Sequence, residues 1–206
     1  AEHKHDVNPP VPDAGSLRLT ALSVVVGRVR SASTIEAALG LATINALLDV
    51  DENDCVAVNA GDLILEHGAG KQVAIVGHFP FIPEIKKVAK TLAVLELHPL
   101  EGDLPADQAP HVIPQADVVA ITGTTLLNHT FDDLITLCRP DAYVLVLGGS
   151  TPLSPLFFHL GVDIVAGTRI VKPEATIRAV SQGAGFRQIP GKHLLVLRKD
   201  TSTAAR

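Results

Sequence analysis

Three expected strands, Val73–Val76, Val118–Thr122 and Ala142–Leu147, are apolar at almost every position and no longer than six residues. A strand with one wet face alternates polar and apolar residues. A short run without alternation suits a strand buried on both faces, as in a parallel sheet covered by helices. Further strands are expected at Ala93–Leu97, Asp163–Ala166 and Leu194–Arg198. Helices are expected at about Pro83–Thr91, Phe131–Cys138, Pro155–Leu160 and Pro173–Gln182. Strands alternating with helices imply right-handed βαβ crossovers. From about Lys71 to the C-terminus the chain therefore reads as an α/β domain with a parallel sheet.

Composition agrees. The 206 residues are 47% hydrophobic but only 3% aromatic, so the core is built from Val, Leu, Ile and Ala. The formal charge is -5 and no basic stripe is present, so nucleic acid is not expected as a partner. No apolar run reaches the roughly 18 residues of a spanning helix, and no membrane role is expected. Cys55 and Cys138 lie far apart without a CxxC, which points to a reducing cytoplasm rather than a disulfide framework. The chain lacks Met altogether, which implies processing or trimming.

Residues 1–15 read as a loose polar arm, in which His3, His5 and Asp6 are solvated. Residues 16–70 read as a small α+β domain, and residues 71–206 as the α/β domain. In the former, Leu17–Val29 is strand-like. Ser33 and Glu36 have capping-box spacing ahead of a helix that is apolar nearly all round and should be buried. Asn59–Gln72, Gly-rich and polar, reads as a linker. The P-loop-like Gly68–Lys71 precedes a strand, and the acidic Asp49–Asp54 lacks the Gly of a calcium loop, so neither carries function.

In open α/β sheets, ligands bind beyond the carboxyl ends of the strands. The residues there are Gly77-His78-Phe79-Pro80, then Glu96 and His98, then Gly123 to Thr130, then Gly148 to Pro152. Tight turns use Gly anyway, but three such turns on one sheet edge point to a site for a small polar or anionic ligand. Thr130 and Ser154 are expected N-caps, and the free N–H groups of the helices they open favour an anion. Glu96 follows Gly77 at about the spacing at which an acid binds a ribose. The turn is GHFPFIP rather than GxGxxG, and its prolines remove donors a pyrophosphate needs; an S-adenosyl or mononucleotide ligand suffers less. His78 reads equally as a general base or metal ligand and as a hydrogen-bonded turn residue. Asn45, alone among apolar neighbours, needs a partner and is expected to face the strand ends of Gly77 and Gly123. The polar, Pro-rich connection from Pro99 to Gln115 is long enough to be functional.

Several of these segments, Gly40–Leu48, Val76–Pro80, Asp103–Pro105, Ala116–Thr130 and Gly148–Pro155, together resemble the family labelled "putative heavy-metal chelation domain". The resemblance covers roughly Ser33 to Gly185. It implies a Rossmann-like C-terminal domain preceded by a small N-terminal domain similar to the start of enolase, here shortened, with a site between the two. It points to Asn45, Gly77, Phe79, Pro80, Glu96, Thr122, Gly123, Thr124, Asn128, Thr130, Ser150 and Pro152. Gly149 stands where the family tends to have Pro.

The expected function is therefore binding of a small anionic or metal-chelating ligand in an interdomain cleft. His78 and Glu96 are the catalytic candidates, and Asn45, Thr124, Asn128 and Ser150 hold the ligand. A metal ion or metal complex is the open cofactor; no protein ligands to it stand out. The alternatives are a nucleotide- or S-adenosyl-dependent transferase and a non-catalytic carrier or sensor of a metal complex. The sequence does not decide whether the protein is an enzyme, and a homodimer is one open assembly state.

Overall fold

The structure is a computed structural model and describes residues 11–199. Its strands are β1 (Cys55–Val56), β2 (Gln72–Val76), β3 (Thr91–Glu96), β4 (Leu104–Pro105), β5 (Val118–Thr122), β6 (Tyr143–Leu147), β7 (Ile164–Ile170) and β8 (Lys192–Arg198). They form one eight-stranded sheet in the order β1-β8-β7-β6-β5-β2-β3-β4. The α-helices are α1 (Leu22–Gly27), α2 (Thr34–Leu47), α3 (Ala60–Gly68), α4 (Ile82–Val88), α5 (Ala109–Val112), α6 (Phe131–Thr136) and α7 (Pro173–Ser181). None is long and apolar enough to cross a membrane.

The α/β architecture with helices on both faces of the sheet is the one the apolar runs imply. Along β2, Val73 and Ile75 face Leu63 and Ile64 of α3 and Ile82 and Ile85 of α4. Ala74 and Val76 face the opposite layer, with Ile113, Phe131 and Phe157. Burying each such large aliphatic side chain contributes about 1.5–3 kcal/mol. The six strands from β7 to β4 run parallel. Gly77, Gly123 and Gly148 therefore lie at one end of the sheet, immediately after β2, β5 and β6.

Several expectations differ from what is observed. First, β8 is antiparallel to β7, because β7 runs on past Ala166 to Ile170 and pairs there with Lys192. The intervening chain, which carries α7, returns at the end of the sheet it left. Second, Leu17–Val29 is not a strand: it forms a 3-10 turn at Leu17–Leu19, then α1, then a 3-10 turn at Arg28–Arg30. Its aliphatic run packs on α2 instead of a sheet edge. Gly40 permits this, since a Cβ there would lie 2.2 Å from the Val29 nitrogen. Third, α2 buries only Ala37, Gly40 and Leu41, while Ile35 and Leu47 are exposed. One side meets α1 and the turn Arg28–Arg30. Glu36 bonds the Ser31 hydroxyl rather than closing a box on Ser33.

Fourth, Asn59–Gln72 is not a linker but contains α3, capped by the Asn59 side chain accepting from Gly61 N–H at 2.9 Å. Fifth, Pro155–Leu160 is a 3-10 rather than an α-helix, though Ser154 caps it as expected. Within the arm assigned to residues 1–15, Val11 is buried and Asp13 binds Arg28 and Thr20. His3, His5 and Asp6 lie outside the described residues.

Candidate functional site

The chain runs from β2 outward to β3 and β4, then crosses back to place β5 on the other side of β2. This reversal parts the connections beyond the strand ends and opens a crevice between β2 and β5. A cavity of about 510 Å³ fills it, with Gly77, His78, Glu96, Thr122, Thr124, Asn128 and Thr130 on its wall. Gly77 is buried with φ 105°, and a Cβ there would lie 2.9 Å from Thr122, so only glycine is accommodated. Glu96, the last residue of β3, meets only its neighbour's backbone, accepting from Leu97 N–H at 3.2 Å. His78 Nδ1 is 3.3 Å from Asp103 Oδ2, whose other partner is Leu100 N–H. The Pro99–Gln115 connection is structured, through β4, α5 and two 3-10 turns, and forms the outer wall with Ala106, Asp107, Ala109 and Pro110.

An anion against Thr124–Thr130 finds little support here. Thr130 does not cap α6; Asn128 Oδ1 takes both the Thr130 N–H and its hydroxyl, at 3.2 and 2.7 Å. The helix has six residues, too short to build a sizeable dipole. Glu96, Asp107 and Asp133 line the cavity, and among the described residues no Lys or Arg does.

A second cleft, of about 700 Å³, lies between α2 and the ends of β6 and β7. The turn Gly148–Thr151, closed by Thr151 N–H donating to the Gly148 carbonyl at 3.1 Å, exposes the Ser150 carbonyl, and Asn45 Nδ2 donates to it at 2.9 Å. Asn45 is half-buried and faces this turn, not the strand end of Gly77 as the sequence suggested. Its Oδ1 is buried without a partner, and so are the hydroxyls of Thr151 and Thr168; all three residues line the cleft. Among the described residues, Arg169 is the one Lys, Arg, Asp or Glu on its wall. Its guanidinium donates to the Val50 carbonyl at 2.7 Å and pairs with Glu52 at 3.3 Å.

The residues expected to share one site are thus divided. The loop Thr122–Thr130 is the partition: Thr122, Thr124, Thr125 and Asn128 face the crevice, and Leu127 faces the cleft. Gly123, buried within it, abuts Thr151. Phe79 and Pro80 line neither cavity; the Phe79 ring stacks at 5.0 Å on that of Phe81, which itself lies against Gly61 of α3. Pro152 is buried beneath the turn and lines neither. Among the described residues, no three His, Cys, Asp or Glu side chains converge as a metal site.

Residues 59–199 match the family described as "Putative heavy-metal chelation". The chain belongs to this heavy-metal chelation family. An uncharacterized protein of Methanocaldococcus jannaschii is 31% identical over 158 residues, which are 73% of this chain and 61% of that protein. The chain thus spans less than two thirds of that relative. A solved structure of a family member of unknown function from Desulfitobacterium hafniense DCB-2 is 28% identical, with a TM-score of 0.75 over 86% of this chain and 74% of that one. Another, from Pyrococcus horikoshii, superposes with a TM-score of 0.77 over 96% of this chain and 79% of the other; at 18% identity it speaks for the fold alone.

The span matched to the heavy-metal chelation family contains the whole crevice but only part of the cleft, whose α2 wall precedes it. Thr151, Thr168 and Arg169 are the cleft residues that sequence reasoning missed. Thr151 sits in a turn already marked by its glycines. Thr168 and Arg169 carried no signal, since they depend on β7 continuing past Ala166.

Proposed function

We propose that the protein binds a small amino- or hydroxycarboxylate, free or already holding a metal ion, in the cleft between α2 and the ends of β6 and β7. The observation that carries this is three residues of the cleft, Asn45, Thr151 and Thr168, whose side-chain oxygens are closed off from solvent with no hydrogen-bond partner among the described residues. Leaving such an atom unpaired costs about 1–3 kcal/mol, so three at one place are reason to look for an absent ligand. Arg169 offers donors to a carboxylate, and the Thr151 and Thr168 hydroxyls and Asn45 Oδ1, closed off from solvent without a ligand, gain partners by turning toward it: the hydroxyls as donors to the carboxylate, Oδ1 as acceptor of an N–H or O–H beside it. Carboxylates flanked by an amine or hydroxyl are also bidentate chelators. The family's description as a chelation domain and the lack of a converging ligand set among the described residues both suit a metal that arrives chelated. Cys55 and Cys138 are unpaired, which suits a reducing cytoplasm.

Calorimetric titration with citrate and histidine, each with and without Ni²⁺ or Fe³⁺, tests the reading. At least one chelator or chelate should bind and Arg169→Met should weaken it about tenfold, while metal salts alone should not bind. Binding of bare metal with indifference to every chelator would overturn it.

A further inference from the structure

The crevice between β2 and β5 is separate from the cleft and asks for different chemistry. We infer that it is a binding site for a ribonucleoside-type molecule without net negative charge, such as an S-adenosyl compound.

Four observations converge on this. The cavity stands where the sheet reverses its strand order, beyond the carboxyl ends of β2, β3 and β5, and its 510 Å³ suits a molecule of nucleoside size. The Glu96 carboxylate ends the strand beside β2 and spends one bond on Leu97 N–H, which leaves both oxygens able to accept from a cis-diol. Leu97, Ala106, Ala109 and Pro110 give an apolar slot in which a planar base loses water without leaving many polar groups unpaired. Finally, among the described residues the wall carries Glu96, Asp107 and Asp133 and no Lys or Arg, and His78 on it sits against Asp103. A phosphate there meets like charge, whereas the sulfonium of an S-adenosyl group meets opposite charge. Gly77 lets the chain pass close to the ligand, and Thr124 and Asn128 supply neutral hydrogen bonds from the facing loop.

The test uses the full chain and titrates S-adenosylmethionine, the four common ribonucleosides, AMP and 2′,3′-dideoxyadenosine by calorimetry. S-adenosylmethionine or at least one ribonucleoside should bind, AMP should bind at least tenfold more weakly than adenosine or S-adenosylmethionine, and loss of the diol should abolish the signal. Glu96→Gln should lower affinity at least tenfold, with the fold confirmed by circular dichroism. Ile177→Ser, exposed on α7 and lining neither cavity, should leave this binding unchanged, and no chelator is present, which keeps the outcome distinct from that of the cleft. Failure of every nucleoside and of S-adenosylmethionine to bind, AMP binding as tightly as adenosine, or dideoxyadenosine binding as well as adenosine would overturn the assignment.

Discussion

A Cβ on Gly123 would stand 2.3 Å from the Thr151 hydroxyl and 2.9 Å from the Thr151 nitrogen. The partition between the two cavities is thus one backbone thick at this point. Gly123→Ala should push Thr151 toward the cleft and destabilise the fold by about 1–3 kcal/mol, read from urea unfolding. Gly27→Ala is the matched control. Gly27 lies in α1 with open space at its Cβ, and alanine there should be neutral or stabilise by up to about 1 kcal/mol.

Thr151→Val should separate stability from binding. Thr151 is 2% exposed and its hydroxyl has no partner, so a methyl of similar size removes an unpaid desolvation. The ligand-free variant should gain about 1 kcal/mol. Its affinity for a carboxylate chelator should drop about tenfold. A variant that loses stability without ligand would show that the hydroxyl already has a partner.

Asp117 sets a pH dependence. The Gln72 N–H, at 2.9 Å, and then the Arg139 guanidinium, at 3.1 Å, hold its carboxyl below the usual value. A carboxyl depressed in the folded state contributes stability above its unfolded pKa of about 3.9 and loses it as pH falls through the folded value. Asp117→Asn should therefore be less stable than the parent at pH 6. The gap should close progressively below about pH 4, as thermal unfolding across that range will show.

Both cysteines should be sluggish nucleophiles. Burial pushes the Cys138 thiol up to about 11. Burial, followed by the charges of Asp54 and Glu52, also raises Cys55. At pH 8 only about one Cys138 in a thousand is thiolate. Iodoacetamide should label both slowly in the native protein and quickly in urea, as followed by intact mass.

The sheet was legible because its inner strands are buried on both faces, and a run such as Val118–Ile121 has no second reading. Leu17–Val29 was not, because Val24–Val26 favour a strand by shape while a nearby helix with Gly40 offers a better partner than an edge. The helix α3 hid behind its glycines. Gly61 is there because the Phe81 ring would lie 2.9 Å from a Cβ, and Gly68 because Val73 would, so both serve packing rather than flexibility. At the site, Asn45 and the strand-end turns were visible as isolated polar or Gly positions. Their separation into two cavities was not, since it depends on which way each residue of Thr122–Thr130 turns.

The N-terminal segment reaches its partners in strict order. Ser31 meets His129, Asn45 meets Ser150, Val50 meets Arg169 and Glu52 meets His193, at sequence separations of 98, 105, 119 and 141 residues. Cys55 then pairs with Leu197 on the last strand. During synthesis this segment leaves the ribosome before its partners, and it docks stepwise as each partner emerges. Until β8 is released, its apolar side chains lack their final partners and are exposed to aggregation.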